Sequence, residues 1–435
     1  LIWESLGRIA MEKGERFLRQ RLSNGTQVVG EPMAGVQSAA VGLLFGVGAR
    51  DESAKHFGIS HFLEQMIFRG TEHRSAREIS EEFDRLGASY DSSAGIEMHV
   101  MSCQMLGDRL LEALDLLGDC ARFPAFPDDA VESVRTLQLQ EISQRDDRPP
   151  QKVMDLVRRE LFAGSPLGND VLGSPGTMEN IDRQALAEYH KRFFRPDNAV
   201  ISVAGNFDWA PLIQKLEALT ADWPVGTQRD RLSPPEPHQS VTVLSKEDAS
   251  QENLGFAFPG VAASDPRYHA AGLTAQALGG GTNSRLHREV REKRGLAYAA
   301  QARFDGFENT GLVRIYVGTS PERAPESVEV VLGELRKLEA DGLEPEELDR
   351  AKTRLKSQVI MRSESTYARM ATNMRSWWME RQLYSLDEAK QRIDRVTLGE
   401  VAALLRDLGV THRIAAVALG PRSRQDLFQS EMVPS

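Results

Sequence analysis

Apolar and polar positions along the chain follow two series of the same order. Residues 26–33 (TQVVGEPM) and 38–52 (SAAVGLLFGVGARDE) have the alternation and β-branched content of strands. The period then changes to that of a helix, predicted over about 57–69, and a second amphipathic helix follows in SAREISEEFDRLGASY. A strand pair is expected across 89–106. Long helices should fill 108–120, 128–146, 150–162 and 183–192, and a strand at 198–207 closes the series.

The second series begins with VTVLSKEDASQENLGFAFPGVAASDP, which reads like 26–52. Helix, helix and strand pair come next, then two long helices and a closing strand at 413–420. FGVGARDE at 45–52 and FPGVAASDP at 258–266 both end a strand before the first helix of their series. Between the series lies 224–240, PVGTQRDRLSPPEPHQS, with the prolines and charge of a linker. The expected fold class is α+β: two homologous lobes from duplication, each a mostly antiparallel sheet packed with helices. Their expected limits are 16–223 and 241–428.

Composition narrows the function classes. An apolar content of 41% supplies a core of ordinary size, and a net charge of −10 argues against nucleic acid as the main partner. Cys103 and Cys120 are too few for a disulfide framework or a cysteine zinc site, and their apolar flanks suggest buried thiols. No apolar run approaches the roughly 18 residues of a membrane span. LIWESLGRIAMEKGERF lacks the design of a signal peptide, which points to the cytoplasm, or to the periplasm had a leader been removed.

The candidate chemistry sits in the first helix, GISHFLEQMIFRGT at 58–71. Helical spacing puts His61, Glu64 and Gln65 on one face. Two histidines four apart can clamp a zinc, and a glutamate beside them can take a proton from zinc-bound water. The inverted order of that motif is His-x-x-Glu-His, and here Gln stands in the last place. An ordinary amphipathic helix with a surface His and Glu meets the same spacing.

The surroundings favour the metal. GVGARDE, GISHFLEQMIFRGT, EISEEFDRLGASYDSSAGIE, LQLQEISQRDDRPP, SPLGNDVLGSPGTMENI, FFRPDNAVISVAGNFD and LGGGTNSRLHREVREKRGLAYAAQ occur in the order found in the pitrilysin/insulinase family. Over 16–425 the chain resembles these inverted-zincin metallopeptidases, which include the mitochondrial processing peptidase subunits. The resemblance implies two lobes closing, clam-like, on a chamber that receives extended peptides or unfolded polypeptides. It implies zinc held by His61, by residue 65 and by Glu141, which stands 76 residues beyond Gln65, with Glu64 as the base. Arg291 and Tyr298 match an Arg and a Tyr that bind the substrate backbone and the oxyanion, a task suited to fixed donors. The strand near 88–94 matches an edge that accepts the peptide as an added strand. A homodimer, or pairing with a related subunit, is also implied.

Departures from the family pattern are Gln65, Val134 in place of a frequent acid seven residues before Glu141, and Ser165 in place of a frequent histidine. An amide oxygen is a poor zinc ligand beside an imidazole. Losing a strong ligand should cost several of the ~10–16 kcal/mol typical of complete zinc sites. The zinc site is therefore expected to be weakened or empty and hydrolysis impaired. The rival readings are a non-catalytic peptide-binding or assembly subunit and a purely structural subunit. Gly279, Gly280 and Gly281 fit neither phosphate-loop pattern and are expected to end a helix where backbones approach closely. Trp377 and Trp378 are expected to pack rather than bind a ligand.

Overall fold

The computed structural model describes residues 8–10, 16–226 and 233–428. Most of the stretch read for a leader, and 227–232 of the linker, lie outside these residues. Two compact units are present, each with its own sheet. The first sheet contains β1 (Arg8–Ala10), β2 (Arg16–Arg21), β3 (Gln27–Pro32), β4 (Ser38–Phe45), β5 (Ser89–Ala94), β6 (His99–Leu106) and β7 (Ala199–Gly205). Their order is β1-β2-β3-β7-β4-β6-β5, antiparallel throughout except for β3 beside β7.

The second sheet contains β8 (Ser240–Ser245), β9 (Glu252–Gly260), β10 (Ala297–Gly306), β11 (Gly311–Thr319) and β12 (Ala415–Gly420). Its order from one edge is β8-β12-β9-β11-β10, with β8 and β12 parallel and the rest antiparallel. This repeats the order β3-β7-β4-β6-β5, parallel pair included, so the two-lobed α+β fold expected from the sequence is present. Strands β1 and β2 were not legible in advance, because RFLRQR carries little apolar alternation.

The units do not follow a single cut at 224–240. Ser143–Gly168 belongs to the second unit and Ile360–Asp387 to the first. Each half of the chain therefore gives a helix to the other half's sheet. Pro149–Leu161 packs on β9, β11 and β12, and Thr366–Glu380 packs on β3, β4 and β7. The amphipathic period reveals that such a helix has an apolar face, and not which sheet it covers.

Strand β4 explains the demand for that cover. Its residues from Ala39 to Phe45 are all buried. Ala39, Val41, Leu43 and Phe45 join the main core, while Ala40 and Leu44 meet Met370, Met374 and Trp377 on the other face. Between them Gly42 lets the helix come close, since a Cβ there would lie 2.4 Å from Met370 Sδ. Gly255 in β9 does the same, with 2.5 Å to Val153 Cγ1 of the other exchanged helix. Gly42 and Gly255 each stand three residues before a fully buried phenylalanine, Phe45 and Phe258.

A buried ion pair fixes the first exchanged helix. Arg369 Nη2 and Nε lie 2.6 and 2.9 Å from the two carboxylate oxygens of Glu31 on β3, and Asn373 Nδ2 adds a bond of 2.6 Å. Trp377 is buried against this face, and Trp378 packs over Gly46. Cys103 and Cys120 are free, buried thiols, which burial pushes up to about 12. Among the described residues no helix is long and apolar enough to cross a membrane.

Candidate metal centre

The helix Ile59–Met66 buries Ile59, Phe62, Leu63 and Met66 at helical spacing. That choice leaves His61, Glu64 and Gln65 partly exposed on the opposite side. The first N–H groups of a helix lack internal partners. Here the Glu52 carboxylate meets them, accepting from Gly58 N at 2.7 Å and from Ser60 N at 2.8 Å. Burial pushes the Glu52 carboxyl up to about 7 despite these bonds. Ser60 Oγ is 2.5 Å from the hydroxyl of Tyr189, tying the helix to the one at Arg183–Phe193.

The helix Asp128–Asp146 brings the distal glutamate. Fully buried Gln138 sets its position, donating to Gly58 O at 3.1 Å and to Leu172 O at 2.9 Å. Glu141 lies one helical step of three residues further along that face. Val134 is fully buried in the main core, so the position expected to hold a supporting acid is spent on packing.

Three groups converge. His61 Nε2 is 2.7 Å from Glu141 Oε2, and Gln65 Nε2 is 3.0 Å from His61 Nε2 and 3.1 Å from Glu141 Oε2. On the far side of the ring, His61 Nδ1 is 3.0 Å from Glu64 Oε2, which also accepts the Ala94 N–H at 2.7 Å. Both ring nitrogens thus face a carboxylate, which calls for a proton on each. Burial opposes that charge, but Glu64 and Glu141 outweigh it and hold the imidazole above its ordinary value. With Nε2 donating to Glu141, the Gln65 amide has Glu141 as its acceptor.

The triangle has the size of a metal site; tetrahedral zinc with bonds near 2.0–2.1 Å sets its donors about 3.3 Å apart. Its chemistry does not fit zinc. The two carboxylates sit on opposite ring nitrogens, so only Glu141 joins His61 at one point. Turned either way, the Gln65 side chain offers an N–H donor or a neutral carbonyl oxygen, never an imidazole nitrogen. Among the described residues no three His, Cys, Asp or Glu side chains are grouped to hold a metal.

Arg291 and Tyr298 belong to the second unit. Arg291 Nη1 is 3.3 Å from His287 Nε2. The half-exposed Tyr298 donates to Gln251 Oε1 at 2.8 Å and lies 3.2 Å from the Tyr316 hydroxyl, which donates to Asn253 Oδ1 at 2.8 Å. Glu52, Gln138 and the supports of Tyr298 were not singled out in the sequence. Glu52 and Gln138 act on backbone groups of another segment, which no spacing rule reveals, although GVGARDE and LQLQE contain them.

Known proteins resemble this chain in sequence and in fold. The family profile described as Insulinase (Peptidase family M16) matches residues 27–175, and that described as Peptidase M16 inactive domain matches 180–355. An uncharacterized zinc protease of Bacillus subtilis is 30% identical over 90% of this chain and 95% of its own length. One of Mycobacterium tuberculosis is 33% identical over 94% and 95%. The chain belongs to the insulinase, or M16, family of peptidases. In fold it is similar to a peptidase M16 inactive domain from Pseudomonas fluorescens, at a TM-score of 0.87 and 23% identity over 94% of this chain and 98% of that one. A protease from Helicobacter pylori gives 0.86 at 19% identity, over 94% and 100%.

Proposed function

We propose that this chain is an M16-family protein that binds extended peptides and whose peptide hydrolysis is strongly impaired because Gln65 stands at a zinc-ligand position. One observation carries the reading. Gln65 closes the His61–Glu141 triangle, at 3.0 and 3.1 Å, with a hydrogen-bond donor where a third metal ligand belongs. A metal at His61 Nε2 would also have to displace a proton.

Peptide capture is supported by β5, the last strand of its sheet. The Ala94 N–H reaches Glu64 and so points away from β6. By the period of two, the backbone groups of Ser92 and Tyr90 face the same open side, where an extended peptide can add as a strand. Glu64, the proposed base, stands at the end of that edge. Arg291 and Tyr298 are proposed as donors to the substrate backbone and the oxyanion. A homodimer or a pair with a related subunit, and a cytoplasmic or periplasmic site of action, belong to the same proposal.

A second reading, a non-catalytic peptide-binding or assembly subunit, draws support from the closed network around His61. Both ring nitrogens, Glu64 and Gln65 already have partners without a metal. Assays of an unfolded polypeptide with this chain, with Gln65→His and with Gln65→His combined with Glu64→Gln separate the two. The impaired-peptidase reading expects binding by all three and turnover chiefly by Gln65→His. Binding with no turnover by any of them favours the subunit reading, and no binding by any of them rejects both.

A further inference from the structure

The glycine run expected to end a helix lies beside a cavity of about 420 Å³ within the second unit. The helix Tyr268–Gly279 ends there, and the loop Gly281-Thr282-Asn283-Ser284 faces the helix Pro345–Ser363 across the cavity. Gly279 meets the strand β10 closely, as a Cβ would lie 2.1 Å from Ala302 N, so that glycine is accounted for by packing. Gly281 is different. A Cβ there would lie 2.2 Å from Arg354 Nη1, so the bare backbone of the loop admits the guanidinium.

Arg350 and Arg354 lie one helical turn apart on the same face and both line the cavity. Neither has a side-chain partner among the described residues. Opposite them Ser284, another residue lining the cavity, is only 5% exposed, and its buried Oγ has no hydrogen-bond partner among the described residues. A buried hydroxyl without a partner costs stability, and a bound water or ion is one way in which such a group is satisfied. Two carboxylates border the same space. Glu347 is engaged by Arg285, with Nε to Oε1 at 3.0 Å, which leaves Asp349 against two guanidinium groups.

We infer that this cavity binds an oxyanion, the charged end of a phosphate- or carboxylate-bearing ligand, held by Arg354 and Arg350 with Ser284 donating from below. Planar guanidinium groups match the geometry of such oxygens, and the Ser284 hydroxyl gains the partner it lacks. Nothing in this assignment depends on Gln65 or on peptide hydrolysis.

The test is calorimetric titration of the full chain at low ionic strength. One arm uses inorganic phosphate, and the other an N-acetylated tripeptide whose only charge is its C-terminal carboxylate. Saturable binding of either supports the site, and the tighter arm assigns the source, a phosphorylated small molecule or a chain terminus. Arg354→Gln should weaken binding about tenfold or more, as expected for loss of a charge-assisted hydrogen-bonded pair. Arg350→Gln and Ser284→Ala should each weaken it by a smaller factor. Arg350 and Arg354 are exposed and Ser284 is buried, and the unliganded melting temperature reports folding. No saturable binding in either arm, or binding that all three variants leave unchanged, overturns the inference.

Discussion

The two units share a strand order and differ in what their first helix presents to solvent. After β4 the helix Ile59–Met66 buries one side and leaves His61, Glu64 and Gln65 accessible. After β9 the corresponding helix, Tyr268–Gly279, is YHAAGLTAQALG, buried at Ala270, Ala271, Leu273, Thr274, Ala275, Ala277, Leu278 and Gly279. The same scaffold thus presents His61, Glu64 and Gln65 together in one copy and mainly small apolar packing in the other. Duplication explains the sheets, and the site depends on a few polar positions that the second copy does not have. The match of 180–355 to a domain described as inactive accords with this.

Breaking the contacts that hold the exchanged helices tests the comparison. The largest effect is expected from Arg369→Ala, which strands Glu31 as a buried charge. Loss of one partner of such a pair costs about 3–5 kcal/mol, to be read by chemical denaturation. The second unit's helix meets Gly255 of β9 through Val153 and Val157, both fully buried.

A pH measurement comes next. Burial pushes the Glu252 carboxyl on β9 from its ordinary 4.5 up to about 7, against the opposing pull of Arg422. The folded state therefore holds a proton that the unfolded chain releases between about 4.5 and 7, so stability falls as pH rises through that window. At about 1.4 kcal/mol per pKa unit, Glu252→Gln should gain at most about 3 kcal/mol at pH 8 and little at pH 4. Glu52, raised likewise in the first unit, keeps its own share of the slope in that variant. Equal stability profiles for parent and variant would contradict the assignment.

The smallest effect sharpens the likeness of the two sheets. Gly255→Ala presses a methyl against Val153, whose branched side chain is stiff, while Gly42→Ala presses against the flexible Met370. Overpacking costs about 1–3 kcal/mol, so Gly255→Ala is expected near the upper end and Gly42→Ala near the lower. The reverse order would mean that the exchanged helices yield by moving as bodies.

Much of this was legible in the sequence because its signals are local. The helix 128–146 follows from apolar spacing and brings Glu141 to within 2.7 Å of His61. His61, Glu64 and Gln65 follow from the period of a helix. The exchange of helices was not legible, since an apolar face in Pro149–Leu161 fits either sheet. Glu52 and Gln138 escaped for a related reason: each satisfies backbone groups of another segment, and an acid in a loop or a glutamine in a helix carries no mark of that duty. Val134, where an acid was expected beside Glu141, is spent on the core, and Gln138 ties the helix to Gly58 and Leu172 instead.

The central claim is that residue 65 alone separates this first unit from a complete zinc centre. The direct measurement is a competitive titration of Zn²⁺ with a chromophoric chelator, comparing the chain with Gln65→His. If one strong ligand is worth about a quarter of the ~10–16 kcal/mol of a full structural site, the variant should bind about a hundredfold tighter or more, at one zinc per chain. Equal affinities, or full stoichiometric binding at Gln65 with no gain from histidine, would contradict the account.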